Sequence, residues 1–275
     1  MALTGLLNKK WLGLIAVILL AVAGLAYNYF TDINTISNNK TVTIFEMKDP
    51  AEDDFGPGLY KYPLGTSFEQ DKHVFDLREF KVQAFKENYI FEITFPEVID
   101  SMGSPGGFME LIHIYIADGT GVGMLETERP GGNVIFDPGN PWRYLVKVMS
   151  WDNTAVFYSD KGTGQEGMAN GVTAKVIPGQ NKIKVTVPKK LLPGKVNKWK
   201  YYVLVGSMDG NGPDNFREVK KKASEWNFGG NEGSLVEPNV IDVLAPSSGV
   251  NGQKKMLSSY SIEKRKFAKL YPVGP

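Results

Sequence analysis

Residues 49–63, which read Asp-Pro-Ala-Glu-Asp-Asp-Phe-Gly-Pro-Gly-Leu-Tyr-Lys-Tyr-Pro, contain the side chains best suited to metal binding. The carboxylates of Asp49, Asp53 and Asp54 repel one another unless a cation or hydrogen-bond donors neutralise them. Residues 56–58 (Gly-Pro-Gly) favour a fixed turn. Because Ca²⁺ takes about six to eight oxygen ligands, we expect these aspartates to bind calcium. The alternative is that they cap turns through local hydrogen bonds.

A second loop of the same character spans residues 209–214, Asp-Gly-Asn-Gly-Pro-Asp. Asp209, Asn211 and Asp214 place side-chain oxygens at the first, third and sixth positions, as in the start of an EF-hand loop. The glycine and glutamate that complete an EF-hand are missing, so this loop is not an EF-hand. We expect these three residues to bind calcium as well, either separately or around one ion shared with the first loop. A plain β-turn is the alternative.

Calcium in these loops would be structural. An ion that binds only the folded chain stabilises it by mass action.

Three aromatic residues are candidates for stacking on sugar rings. Tyr60 and Tyr62 flank Lys61 beside the first loop, and Trp142 follows Asn140-Pro. Aromatic side chains in a β-sandwich more often belong to the core, which is the competing interpretation.

Composition excludes several classes of protein. The 31 basic and 30 acidic residues leave a net charge of +1, too small to attract nucleic acid, and no cysteine is available for disulfides, iron–sulfur clusters or thiolate catalysis. No serine-hydrolase, zinc-protease, P-loop or dinucleotide motif occurs, so we expect no enzymatic activity. Haem would need two converging ligands, and nothing in the spacing of His73, His113 and Met109 selects a pair.

The N-terminus predicts export. Lys9 and Lys10 precede an uncharged, largely apolar run over residues 11–30, which is just long enough to span a bilayer. We expect residues 1–30 to form a hydrophobic helix that anchors the protein in the cell membrane, with the N-terminus inside. A cleaved signal peptide is the alternative, and it also exports the domain. Residues 31–40 are polar and resemble a tether.

From residue 41 to residue 275 the pattern predicts one all-β domain. Short alternating segments separated by Gly, Pro, Asn and Asp are typical of an antiparallel β-sandwich, immunoglobulin-like or jelly-roll-like. We expect strands over 42–47, 79–86, 89–95, 111–116, 143–151, 155–159, 172–177, 182–187 and 200–207. Residues 111–116 alternate isoleucine with Leu, His and Tyr, which predicts a strand buried on both faces. A short helix is expected at about 216–224.

Several motifs resemble, in the same order, the C-terminal domain family of glucodextranases. They are Asp53-Asp-Phe-Gly-Pro-Gly-Leu-Tyr-Lys-Tyr-Pro63, Phe75-Asp-Leu-Arg-Glu-Phe80, Gly106-Gly-Phe108, Asn140-Pro-Trp142, Val205-Gly-Ser-Met-Asp-Gly-Asn-Gly-Pro-Asp-Asn-Phe-Arg217, Trp226-Asn-Phe-Gly-Gly230, Asp242-Val-Leu244 and Leu257-Ser-Ser-Tyr260. The resemblance covers roughly residues 49–272. Pro-Ala-Glu before the Asp pair departs from the usual glycine, and Leu64 departs from the usual threonine.

The resemblance implies a β-sandwich related to family 9 carbohydrate-binding modules and to the DOMON group. Such domains accompany catalytic domains in glucodextranases and amylopullulanases, as sugar-binding or envelope-attachment modules. This chain has no catalytic domain, so we expect a non-catalytic surface module that binds carbohydrate or envelope polymer. One alternative is a subunit of a surface lattice or filament whose N-terminal helices self-associate. Another, implied by the DOMON relationship, is a haem-binding electron-transfer subunit.

Overall fold

Segments of alternating polarity form strands throughout the domain. The structure is a computed structural model that describes residues 40–68, 70–99, 107–127, 131–150, 152–161, 171–209 and 212–275. The strands are β1 (Val42–Lys48), β2 (Glu79–Phe85), β3 (Asn88–Thr94), β4 (Glu110–Ala117), β5 (Val134–Phe136), β6 (Tyr144–Val148), β7 (Ala155–Tyr158), β8 (Thr173–Ile177), β9 (Lys182–Pro188), β10 (Lys200–Asp209), β11 (Gly212–Phe216), β12 (Asp242–Val243) and β13 (Ala268–Leu270). One short helix, α1 (Gln253–Leu257), and 3₁₀ turns at Gln70–Lys72, Ser159–Lys161, Lys189–Leu191 and Val196–Lys198 complete the elements.

Two larger sheets and one strand pair contain all these strands. The first sheet has the order β1-β2-β3-β9-β8, and the second has the order β11-β10-β4-β6-β7, with β12 also paired to β10. In the first sheet, each neighbouring pair among β2, β3, β9 and β8 is antiparallel. The same holds in the second sheet for β10, β4, β6 and β7. Strands β5 and β13 form a separate parallel pair. The expected all-β class is confirmed.

The main core lies between the two larger sheets. Its cluster of buried side chains draws on β2, β3 and β9 from the first sheet and on β4, β6 and β10 from the second. Phe80 of β2 and Tyr201 of β10 meet across the interior with ring centroids 5.4 Å apart. This contact holds the sheets together face to face, as in a sandwich.

A second cluster covers the opposite face of the six-stranded sheet. Leu111 and Tyr115 of β4 point into it, together with side chains from β5, β13 and α1. Strand β4 is therefore buried along its whole length, and all eight of its residues are inaccessible. The strand predicted at 111–116 to be buried on both faces is confirmed.

We expect Phe136→Ala to cost about 3–5 kcal/mol of unfolding free energy, because a buried aromatic ring is lost from this outer cluster. Phe136 is fully buried, and its ring centroid lies 4.7 Å from that of Tyr115 and 4.4 Å from that of Tyr202. Urea unfolding measures the change. The control is Leu235→Ala at a side chain that is 86 % exposed, which should change stability by no more than about 0.5 kcal/mol. Equal losses of unfolding free energy in the two variants would contradict the burial of Phe136 in the outer cluster.

The prediction of a short helix at 216–224 is wrong. Gly212–Phe216 is a strand instead, and no helix follows it in the described residues up to 224. The backbone N–H of Val219 donates to the side-chain oxygen of Asn239 at 2.8 Å, and Lys220 forms a bridge with Gly229. These tertiary hydrogen bonds replace the helical ones.

Residues Thr43–Pro275 form one compact unit. The predicted anchor over residues 1–30 lies outside the described residues. The predicted tether over 31–40 does so too, apart from the exposed Lys40, and both stay predictions. Within the part of the chain that the structure describes, no helix has the length and apolar character needed to cross a bilayer.

Candidate metal centre

Three buried carboxylates and one partly buried carboxylate, Asp53, converge beside the first loop from distant parts of the chain. Asp49 directly follows β1, Asp53 lies in the next loop, Asp76 precedes β2, and Asp242 begins β12. Hydrogen bonds from backbone N–H groups to two of these carboxylates connect the segments. The Ala245 N–H donates to Asp49 Oδ1 at 2.7 Å, and the Leu77 N–H donates to Asp242 Oδ2 at 2.6 Å.

Each of these four carboxylates keeps one buried oxygen without a hydrogen-bond partner among the described residues: Asp49 Oδ2, Asp53 Oδ1, Asp76 Oδ1 and Asp242 Oδ1. Ligand oxygens of Asp49, Asp53 and Asp242 all lie within 4.8 Å of one another. A buried polar atom without a partner costs free energy, and four in one place cost more, because the carboxylates also repel. The arrangement can hold a hard cation through oxygen ligands.

The pKa values of all four carboxyl groups in the cluster are raised. Burial, with added repulsion from Asp53 and Asp76, raises the pKa of Asp49 from 3.8 to about 9. Burial and the charge of Asp76 raise the pKa of Asp53 to about 7, and burial raises that of Asp76 to about 6. Burial and the charges of Asp49 and Asp53 raise the pKa of Asp242 well above its usual range. All four shifts disfavour the ionised form.

Arg78 partly neutralises Asp76 and no other member of the cluster by direct contact. Its Nη2 lies 2.6 Å from Asp76 Oδ2, and the Glu52 N–H donates to the same oxygen at 2.8 Å. One guanidinium facing four carboxylates leaves an excess of negative charge. The cluster is therefore unfavourable to folding when all its members are ionised and nothing else binds.

Asp54 was predicted as a ligand, but it turns to other partners. Its Oδ2 accepts a hydrogen bond from the Tyr62 hydroxyl, and its Oδ1 lies 2.9 Å from His73 Nδ1. Asp54, His73 and Asp76 also form a group whose possible ligand atoms lie within 4.8 Å of one another. Because both Asp54 oxygens already have partners, this group is the poorer candidate for a cation.

The loop that carries Asp53 and Asp54 is fixed by its backbone. Gly56 has φ +58°, its N–H donates to the carbonyl of Ile241 at 2.8 Å, and a Cβ at this position would lie 2.3 Å from the ring of Tyr60. The side-chain amide of Gln253 in α1 donates to the Asp53 carbonyl. The glycine therefore permits a close approach that ties the loop to β12 and to the ring of Tyr60.

The three aromatic residues predicted to stack on sugars lie in the core. Tyr60 and Tyr62 are buried, and their hydroxyls donate to the Pro238 carbonyl and to Asp54, respectively. Trp142 is fully buried, and its Nε1 donates to the Glu126 carbonyl at 2.8 Å. Because no ring face of these residues is open to solvent, the sugar-stacking role predicted for them does not fit this conformation.

The second predicted metal loop is described only in part, at the paired ends of β10 and β11. Asp209 pairs with Gly212 in an irregular register between β10 and β11. Asn211 and the side chains of Asp209 and Asp214 lie outside the described residues, so their calcium-binding role stays a prediction.

The two histidines lie in separate surroundings. His113 is buried, and its ring centroid lies 4.6 Å from that of Phe216 in the outer cluster. Met109 belongs to the core between the sheets, and His73 contacts Asp54. Burial and the nearby charge of Lys147 lower the pKa of His113 well below its usual range, which keeps this imidazole neutral.

Comparison with known proteins agrees with the fold and with the motifs. No curated protein is significantly similar to the chain. A family model described as the C-terminal binding module, SLH-like, of glucodextranase matches residues 44–272. This match includes every residue of the carboxylate cluster and all of both larger sheets except the first two residues of β1, so the chain belongs to the family of C-terminal, SLH-like binding modules of glucodextranase.

Proposed function

We propose that this protein is a non-catalytic module that binds carbohydrate or a cell-envelope polymer outside the cell, and that calcium stabilises its fold. The family is a binding module, which supports the non-catalytic role and an extracellular or cell-surface location. The N-terminal apolar run supports export, through either an anchor or a signal peptide.

The observation that carries the calcium proposal is the set of four unpartnered, buried carboxylate oxygens on Asp49, Asp53, Asp76 and Asp242. All the candidate ligand atoms are carboxylate oxygens, which hard cations such as Ca²⁺ and Mg²⁺ prefer. Zn²⁺ and Cu²⁺ instead favour nitrogen and sulfur ligands. Calcium accepts more ligands than magnesium and tolerates irregular geometry. A divalent ion at this cluster would offset the repulsion and give each free oxygen a partner.

Calcium at this position would act on the fold. Asp49 and Asp53 belong to the segment after β1, Asp76 to the segment before β2, and Asp242 to β12 of the other large sheet. A single ion would therefore connect segments that lie up to 193 residues apart in sequence between Asp49 and Asp242. Such a connection stabilises the folded state because the unfolded chain has no preformed site.

The binding role is tested by pull-down of the purified protein on insoluble starch and on isolated cell envelopes, with calcium or EDTA present. We expect the protein to sediment with at least one of these materials in calcium, and less of it in EDTA, where the loops lose their ion. Bovine serum albumin serves as the non-binding control. If neither material, nor a glycan array, retains the protein in calcium, the binding role is contradicted.

A further inference from the structure

A cavity of about 620 Å³ lies next to the carboxylate cluster, between residues 50–58 and residues 246–258. This volume is within the range of about 300–1,000 Å³ that small-molecule sites occupy. Asp53 lines the cavity and also belongs to the cluster. It is the one member of the four that is partly exposed, since Asp49, Asp76 and Asp242 are buried.

The side chains around the cavity have the chemistry that sugars require. Phe55 supplies an aromatic ring that is partly buried, and its centroid lies 5.8 Å from that of the nearly perpendicular ring of His73. Ser247, Ser248 and Ser258 supply hydroxyl groups, which both donate and accept hydrogen bonds. An aromatic face for ring C–H groups, beside several hydroxyl groups, suits a pyranose ring better than a purely apolar or purely charged ligand.

The charges at the cavity balance. Glu52 and Asp53 supply two carboxylates, and Lys254 and Lys255 supply two ammonium groups. Such a wall has no excess positive field with which to select an anionic polymer. A neutral polysaccharide, whose hydroxyl groups bond to both kinds of charge, therefore fits the lining better than a uronate polymer does.

Two contacts connect the cavity wall to the carboxylate cluster. Gln253, which is buried in α1, accepts a hydrogen bond from the Val243 N–H and donates one to the Asp53 carbonyl. The side chain of the next residue, Lys254, packs over Gly58, where an added Cβ would lie 3.0 Å from Lys254 Cε. The wall formed by α1 and the wall formed by the Asp53 loop are thus joined at the point where the cluster lies.

We propose that this cavity is the site that binds a neutral polysaccharide, and that calcium at the neighbouring carboxylate cluster holds its walls in the binding conformation. The inference rests on the proposed binding function and adds the place, the ligand class and the dependence on calcium. Phe55 stacks against a sugar ring, and the serine, lysine and Glu52 side chains bond to its hydroxyl groups.

The test is affinity electrophoresis of the purified full-length protein with soluble starch, with dextran, and with polygalacturonate as the anionic probe, each in calcium and in EDTA. Ser248→Trp fills the cavity at an exposed serine that is not one of the four cluster residues. Leu235→Trp is the matched control, because Leu235 is exposed and lines a different cavity, of about 370 Å³. We expect Ser248→Trp to weaken retardation by starch or dextran at least about tenfold, and Leu235→Trp to leave it within about twofold, with unchanged melting temperatures.

A second variant tests the ring itself. Phe55→Leu keeps an apolar side chain but removes the flat face, so we expect binding to weaken about three- to tenfold while the calcium dependence persists. If polygalacturonate retards the protein while starch and dextran do not, the proposal of a neutral polysaccharide ligand is overturned. If the native protein binds starch or dextran and Ser248→Trp binds equally well, the cavity is not the site, although the binding function stands. If the native protein binds none of the probes, in calcium or without it, both this inference and its basis are overturned.

Discussion

Calcium at 1 mM is expected to raise the melting temperature of this protein by about 5–10 °C above its value in EDTA. Binding at about one hundred times the dissociation constant stabilises a folded protein by about 2.7 kcal/mol, and a domain of this size melts about 2–4 °C higher for each kcal/mol. The physical reason is that four converging carboxylates, each with an unpartnered buried oxygen, gain ligand bonds and lose their repulsion. Differential scanning calorimetry measures the shift.

The variant Asp242→Asn gives this prediction a sharper form. The side-chain oxygen of asparagine still accepts the hydrogen bond from Leu77, while its amide replaces the unpartnered oxygen and removes one charge from the repelling cluster. In EDTA we therefore expect Asp242→Asn to melt at or above the native temperature. In calcium we expect it to lose most of the increment, because a ligand is gone.

The matched control is Asp118→Asn. Asp118 is also buried, but it accepts hydrogen bonds from Thr120 and lies 3.5 Å from Arg143, away from the cluster. This variant should lose stability in both buffers and keep the full calcium increment. If Asp242→Asn and Asp118→Asn behave alike, the cluster is an ordinary set of buried acids and the calcium account fails.

Without calcium, stability should fall as the pH rises from about 5 to 8. The folded-state pKa of Asp49 is raised from 3.8 to about 9, so the folded chain binds more protons than the unfolded chain throughout this window. Stability contributed by such a group is complete below its unfolded pKa and is lost as the pH rises toward its folded pKa. The folded-state pKa values of Asp53 and Asp76 are raised to about 7 and about 6. These two groups therefore add smaller losses of stability, which are further reduced by screening.

We expect the sum to be on the order of 4 kcal/mol, most of it from Asp49, or about 8–16 °C in melting temperature between pH 5 and pH 8 in EDTA. In calcium the sign should reverse, because the ion binds the deprotonated carboxylates and holds them ionised. Melting curves at several pH values in both buffers provide the measurement. A melting temperature that rises with pH in EDTA would show that the cluster is ionised and neutralised by the protein alone.

The central strands of the two larger sheets were predictable because one face or both faces of these strands are buried. At Glu110–Ala117 the isoleucines point into the core between the sheets, and Leu111 and Tyr115 point into the outer cluster, so every position is apolar or enclosed. The outer pair β5 and β13 and the short strand β12 were not predictable, because these strands contain only two or three residues each and have no measurable period. Tertiary contacts alone make them strands.

The candidate metal centre was half predictable. Asp49 and Asp53 are close in sequence, so their mutual repulsion is visible without a structure, whereas Asp76 and Asp242 lie 23 or more residues away from them. A signal for them does exist, since each lies inside an apolar run, Val74-Phe-Asp-Leu77 and Val240-Ile-Asp-Val-Leu-Ala245. A carboxylate flanked by core residues must be buried, and a buried carboxylate needs a partner. Adjacency to Asp53 suggested Asp54 as a ligand but does not reveal that its carboxylate contacts Tyr62 and His73.

The most direct test of the calcium-stabilised fold is the number of calcium ions bound per chain, measured by isothermal titration calorimetry on chelator-treated protein at pH 7.5. The native protein should bind at least one Ca²⁺, and the double variant Asp76→Asn/Asp242→Asn should bind one fewer while remaining folded by circular dichroism. Equal stoichiometry in the two proteins, or no binding by the native protein, would contradict the assignment of Asp49, Asp53, Asp76 and Asp242 as a calcium site.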